Sequence, residues 1–205
     1  MDSLELLYDH YKETYSLVKT RLDERNKLFI LTIFMLCILS LFMVNPESLI
    51  TTLSKWLADN YHLEINMEIS IIQSLIWFVV LYFTIRYYQT TTYIERLYAY
   101  IHKLEKTISE FSGQPFTRES QSYLDEYPML LDFISIIYRV IFPIIYSIIL
   151  IVKIITEFQS GFLNLCFLLD FIVAFCCFLL TLFYFYFLHK DYVKEILKRI
   201  FIKKA

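Results

Sequence analysis

The sequence predicts an all-α membrane protein: four transmembrane helices with a cytoplasmic helical bundle built from the N-terminal helix and the extension of the second span. Three observations predict it. Of 205 residues, 58% are hydrophobic and 20% charged, with a mean hydropathy of +0.52, whereas soluble domains carry about a quarter charged residues. Four charge-poor runs are each long enough for a helix across about 30 Å of hydrocarbon. Lys and Arg concentrate in alternate connecting segments. The composition excludes disordered, collagen-like and ordinary soluble enzyme classes, and two glycines exclude the nucleotide-cradling loops of P-loop and Rossmann domains.

Residues 1–27 read as a cytoplasmic N-terminal helix. Leu4, Tyr8, Tyr11, Tyr15, Val18 and Leu22 recur at alternating steps of four and three, a seam of coiled-coil period. Asp2 and Glu5 near its start and Arg25 and Lys27 near its end suit the helix dipole. Nothing from Leu4 to Val44 breaks a helix, so this segment is predicted to run unbroken into the first span, residues 28–45, for about 60 Å. Residues 46–68 are expected to form an external loop, and residues 69–85 a second, shorter span.

Residues 86–132 read as a cytoplasmic helix and connector. A second stripe runs through Ile94, Leu97, Ile101, Leu104, Ile108 and Phe111, and Gly113 with Pro115 supplies a left-handed stop. Both stripes lie on one side of the membrane at similar height and are expected to pack together, within one subunit or additionally between subunits. In the connector, Thr117 can cap a short helix and Pro128 ends it or begins the next. The third span, residues 133–152, contains Arg139 and is expected to be followed by a short turn bearing Lys153. The fourth, residues 162–188, contains Asp170. Residues 189–205 form a basic amphipathic tail suited to an anionic lipid surface.

Lys and Arg orient the chain. Lys12, Lys19, Arg21, Arg25 and Lys27 precede the first span, five more basic residues lie between spans two and three, and six lie in the tail. The other two connections carry Lys55 and Lys153 alone. By the positive-inside rule both termini and the middle segment of this multi-pass chain are expected to be cytoplasmic. The first 27 residues are expected to be a charged helix and no cleavable leader. Cys37, Cys166, Cys176 and Cys177 all fall inside spans, fitting apolar thiols better than disulfides or zinc ligands.

No catalytic constellation is evident: the four histidines are scattered, and H-E-x-x-H, G-x-S-x-G and paired intramembrane acids are absent. The chain is therefore not expected to be an enzyme or to carry a metal or cofactor. Arg139 and Asp170 are ionisable groups inside spans, where charge is costly. Arg139 can snorkel to headgroups. Asp170 can face a water path, pair with Arg139 or sit protonated. Asn164 and Thr181 extend the polar set of span four, as Gln73 and Thr84 do in span two, either as pore lining or as ordinary interhelical partners. Arg96, His102, Lys103 and Lys106, interleaved with Tyr93, Tyr98 and Tyr100 and joined by Arg118 in the connector, are candidates for binding a nucleotide or single-stranded nucleic acid. A solvated charged face is the alternative, supported by Glu95, Glu105 and Glu110.

The runs Y-I-E-R-L-Y-A-Y-I-H-K-L-E-K (Tyr93 to Lys106), F-T-R-E-S-Q-S-Y-L-D-E-Y-P (Phe116 to Pro128) and I-Y-R-V-I-F-P (Ile137 to Pro143) resemble the Hailong-type anti-phage membrane effectors, small bacterial four-span channel proteins. The resemblance covers roughly residues 90 to 145 as a pattern and the whole chain as an architecture. The two-span SLATT effectors and the four-span Kiwa membrane subunit are further resemblances, the former having half as many spans. The Hailong resemblance implies a homo-oligomeric ion channel, a tetramer being one such assembly. It implies gating by a cytoplasmic nucleotide or short single-stranded DNA made by a partner nucleotidyltransferase. Opening would depolarise the membrane and arrest growth, an abortive-infection outcome. The rival from another class is a non-conducting sensor or scaffold that recruits a cytoplasmic defence partner.

Overall fold

The computed structural model describes the backbone of residues 3–62, 68–120, 133–134, 136–159 and 165–202, and side chains up to Lys190. Among the described residues it is all-helical, with five helices. Helix α1 spans Ser3–Val44 and α2 Pro46–Tyr61. Helix α3 spans Ile69–Ser112, α4 Phe142–Gln159 and α5 Leu165–Ile202. Four of them (α1, α3, α4 with its preceding turn, and α5) are long and apolar enough to cross a membrane.

Helices α1 and α3 have 42 and 44 residues, hence roughly 65 Å each, about twice a hydrocarbon core. Each is therefore part span and part overhang. The overhanging halves zip together through Tyr11, Val18, Leu97, Ile101, Leu104 and Ile108, all buried, flanked by Leu4, Tyr15 and Leu22. The two stripes read from the sequence thus meet inside one chain. Gly113 ends α3 in the left-handed region at φ 66°, its N–H bonding the Ser109 carbonyl at 3.1 Å, a conformation that glycine adopts without steric cost.

The spans form a second core around Leu39, Trp77, Val80, Tyr87, Tyr146 and Leu150, closed by Ala174, Cys177 and Tyr184 of α5. Aromatic edges supply much of the contact. Phe29 meets Tyr138 at 4.6 Å and Phe142 at 5.0 Å, and Tyr88 stacks on Tyr184 at 4.2 Å between ring centroids. Such rings replace the small-residue faces that bring many membrane helices together.

Two sequence expectations are refined or corrected. First, the segment expected as an external loop contains a helix, α2. Asn45 caps it by accepting from the Ser48 N–H, Pro46 begins it, and His62 closes it at φ 54°. None of its residues is buried, and Leu49, Leu53, Trp56 and Leu57 share one face in helical register. Second, α4 continues through Lys153 to Gln159. No turn-forming residue lies between Val152 and Gln159, so Lys153 belongs to the helix interior. The tail is helical as expected: α5 breaks at His189, whose φ of −113° and ψ of 17° are non-helical, and a second helical stretch continues from there to Ile202. The tail's amphipathic face, like the connector from 121 to 132, lies outside the described side chains.

A π-turn, Ile137–Ile141, precedes α4. Pro143 has no N–H to offer the Arg139 carbonyl, so an α-helical turn would lose a bond there. The wider turn lets Phe142 N–H reach the Ile137 carbonyl instead.

Candidate functional site

Polar side chains gather at three heights. The first is a clasp on the overhang, centred on Glu105, which is 1% exposed. Its Oε1 accepts from the Tyr11 hydroxyl at 3.1 Å and from the Glu119 backbone N–H at 2.7 Å. Its Oε2 accepts from the Ser120 N–H at 3.0 Å. One carboxylate therefore ties α1, α3 and the turn after α3 together. Charge-assisted bonds to three donors offset the cost of burying it. Burial, and then the Glu105 charge and hydrogen bond, push the Tyr11 phenol well above its ordinary range. Phe116 from the same turn packs edge-on against Tyr11, 5.0 Å between centroids.

Two candidate ligand residues belong to this clasp. His102 Nε2 lies 3.1 Å from the Glu119 carbonyl. Arg118 Nε lies 3.4 Å from the Glu119 carboxylate, and its guanidinium sits 4.9 Å from the Tyr15 ring centroid. The other three do not converge with them. Arg96, Lys103 and Lys106 are exposed on the side of α3 turned away from α1, and Lys106 approaches Glu110 at 4.0 Å. Arg96 borders a separate groove of about 560 Å³ between α3 and α5, with Gln89, Thr92, Phe183 and Phe187.

The second height is the inner face of the spans. Thr84 and Tyr146 hydroxyls are 2.9 Å apart, and Tyr88 and Thr181 hydroxyls 3.0 Å apart. Both threonines also donate to the carbonyl four residues back, so in each pair the tyrosine is the donor. Thr181 is thus an interhelical partner to Tyr88. Between this belt and the clasp, Arg139 bonds Glu95 at 2.6 Å and Arg86 bonds Glu24 at 2.9 Å, each joining two elements.

The third height is the end of the bundle away from the overhang. Lys153, 2% exposed, donates to Gln73 Oε1 at 2.9 Å and bonds Glu157. It also lies 3.9 Å from Asp170 Oδ2, and Asp170 is 4% exposed. Gln73 in turn donates to the Phe42 carbonyl at 3.2 Å. The partner of Asp170 is therefore Lys153. Arg139 lies fourteen residues from Lys153 along the chain, about 20 Å of helix away, and is committed to Glu95. Asn164 lies outside the described residues.

Sequence reasoning missed Glu105 and Lys153 as site residues. In the sequence Glu105 supports the alternative of a solvated face, yet it follows Leu104 and Ile101 on the flank of the buried stripe. Lys153 was assigned to a turn, although the local sequence I-V-K-I-I-T is helical throughout. Among the described residues, no group of three or more His, Cys, Asp and Glu could hold a metal ion.

The four long apolar helices suggest a multi-pass helical membrane protein, one that clasps its overhang at one end and gathers ionisable groups at the other. Comparison with protein-family models, curated proteins and solved structures gives no match.

Proposed function

We propose that the protein is a bacterial anti-phage defence effector that assembles as a homo-oligomeric ion channel in the inner membrane. A cytoplasmic nucleotide or short oligonucleotide would gate it through the overhang, and opening would depolarise the cell and stop growth. One observation carries this reading: α1 and α3 pass without a break from the clasp into the spans, and the clasp includes Arg118 and His102. An anionic ligand that competes with Glu119 for Arg118 loosens the turn whose N–H groups hold Glu105. Two rigid helices then carry the change into the bundle. A bias of a few kcal/mol between two arrangements suffices for such a gate.

The outward placement of Arg96, Lys103 and Lys106 supports the alternative, a non-conducting sensor or scaffold that recruits a cytoplasmic partner on an open charged face. Self-assembly, in either case, would use surfaces other than the centres of the two stripes, Tyr11, Val18, Leu97, Ile101, Leu104 and Ile108, which are buried against one another inside the chain. Planar-bilayer recordings of purified protein discriminate. The channel reading expects conductance that changes with ligand and whose ligand sensitivity is lost in Arg118→Gln. No conductance under any ligand condition leaves the scaffold.

A further inference from the structure

Helices α3 and α5 run side by side toward the overhang and leave between them the groove of about 560 Å³, with the stacked rings of Tyr88 and Tyr184 at its base. Its walls change character with height. Ile85, Leu180 and Phe183 make the lower part apolar, and Gln89, Thr92 and Arg96 line the upper part on α3. Tyr93 and Tyr186, both exposed, face it from the two helices, as amphipathic rings do at a membrane interface. The heights can be read from the stack. Tyr88 meets Tyr184, so Thr92 and Leu188, four residues further on, lie level. Helix α5 carries no charge from Phe171 to Leu188, which puts the apolar edge at that level. Arg96 stands one turn higher, about 6 Å, within a headgroup layer of roughly 5–8 Å on each side of the hydrocarbon. Its guanidinium is exposed and engages no other described side chain. The neighbouring carboxylates are already matched, Glu95 by Arg139 and Glu24 by Arg86 and Arg21. Lys190, three residues beyond Phe187, is exposed as well. An apolar slot below and unspent positive charge above follow the order in which a phospholipid presents its chains and its phosphate. A soluble anion would leave the lower half of the groove unused.

We propose that this groove holds one anionic phospholipid of the leaflet on the overhang side. Its phosphate sits on Arg96, with Gln89 and Thr92 as hydrogen-bond donors, and its acyl chains run down over Phe183 and Leu180. The site rests on the membrane reading alone and stands whether or not the protein conducts.

Native mass spectrometry of the full chain in detergent tests this, with phosphatidylglycerol and phosphatidylcholine of equal chain length titrated separately. The expected result is one phosphatidylglycerol bound per chain well before any phosphatidylcholine. Arg96→Gln weakens that first binding by about fivefold, the worth of one basic residue at an anionic surface, and leaves phosphatidylcholine unaffected. Thr92→Trp, which fills the groove and keeps Arg96, abolishes it. Lys12→Gln deletes an equal charge higher on the overhang and binds as the wild type does. Equal binding of the two lipids overturns the proposal, because it marks the ordinary lipid annulus. A loss in Lys12→Gln equal to that in Arg96→Gln overturns it too, as the mark of a diffuse field. So does displacement of phosphatidylglycerol by a soluble nucleoside monophosphate, or a dimer that Thr92→Trp dissociates, which would give the groove to a soluble anion or to a second copy of the chain. Should one groove variant not fold, the other carries the comparison with Lys12→Gln.

Discussion

Glu105 on the overhang and Asp170 at the far end of the bundle are both nearly inaccessible, at 1% and 4% exposure, yet their surroundings differ in kind. Glu105 is held by a phenol and two peptide N–H groups, none of which carries charge at neutral pH. Asp170 shares an ammonium with a second carboxylate, Glu157. A carboxylate saturated by neutral donors fixes geometry, because any movement orphans several donors together. A carboxylate embedded among other ionisable groups is held by charge, which depends on all members of the group together. The overhang is thus held by neutral donors and the opposite end by an ion-pair cluster.

Removing the cation tests that contrast most severely. In Lys153→Met the buried Asp170 and the partly buried Glu157 lose their common partner, a loss of up to roughly 3–5 kcal/mol, the range for breaking a buried pair. The expected outcome is a large fall in melting temperature, measured in nanodiscs, with the overhang helices still paired. The corresponding lesion at the other end is Glu105→Leu, which strands one phenol and two N–H groups. With each orphaned donor costing about 1–3 kcal/mol, and the turn free to rehydrate, the net loss is about 3 kcal/mol. Its signature is local: hydrogen exchange at the Glu119 and Ser120 amides speeds up while amides in the spans keep their protection. If the spans lose protection equally, the overhang and bundle form one cooperative unit and the contrast between the two ends fails.

Much of this arrangement was legible in the sequence. The heptad seams, the unbroken α1 and the Gly113 stop all follow from periodicity and backbone preference, which are local properties. Helix α2 was legible too, in Asn45 as cap and Pro46 at the first turn, but the expectation of a loop between spans masked it. The partner of Asp170 was not legible. Pairing depends on the relative heights of α4 and α5, and that depends on where α4 ends. Assigning Lys153 to a turn shortened α4 by two turns and left Arg139 as the apparent partner. Glu105 shows the complementary limit. Its register places it beside the buried stripe, but its donors come from Tyr11, 94 residues away in sequence, and from a turn whose shape no periodicity encodes.

The smallest expected effect lies midway between the two ends, where neutral pairs hold the spans. Because Thr84 already donates to the Val80 carbonyl at 2.7 Å, its oxygen serves Tyr146 purely as an acceptor. Removing the two partners is therefore unequal. Tyr146→Phe leaves Thr84 bonded to its own helix. Thr84→Val leaves the phenol of Tyr146, 0% exposed, with only the weak sulfur acceptor of Cys177 beside it. The valine variant should cost more than the phenylalanine variant, and adding Tyr146→Phe to Thr84→Val should recover part of the loss. A double-mutant cycle read by chemical unfolding in detergent should give a coupling of about 0.6 kcal/mol, typical of neutral interhelical bonds in membrane proteins. The same asymmetry is expected for Thr181 and Tyr88, which repeat the geometry between α3 and α5. Equal costs for the two single variants would mean that the threonine hydroxyl has turned toward the tyrosine, and that the belt helps set the positions of α4 and α5 instead of following them.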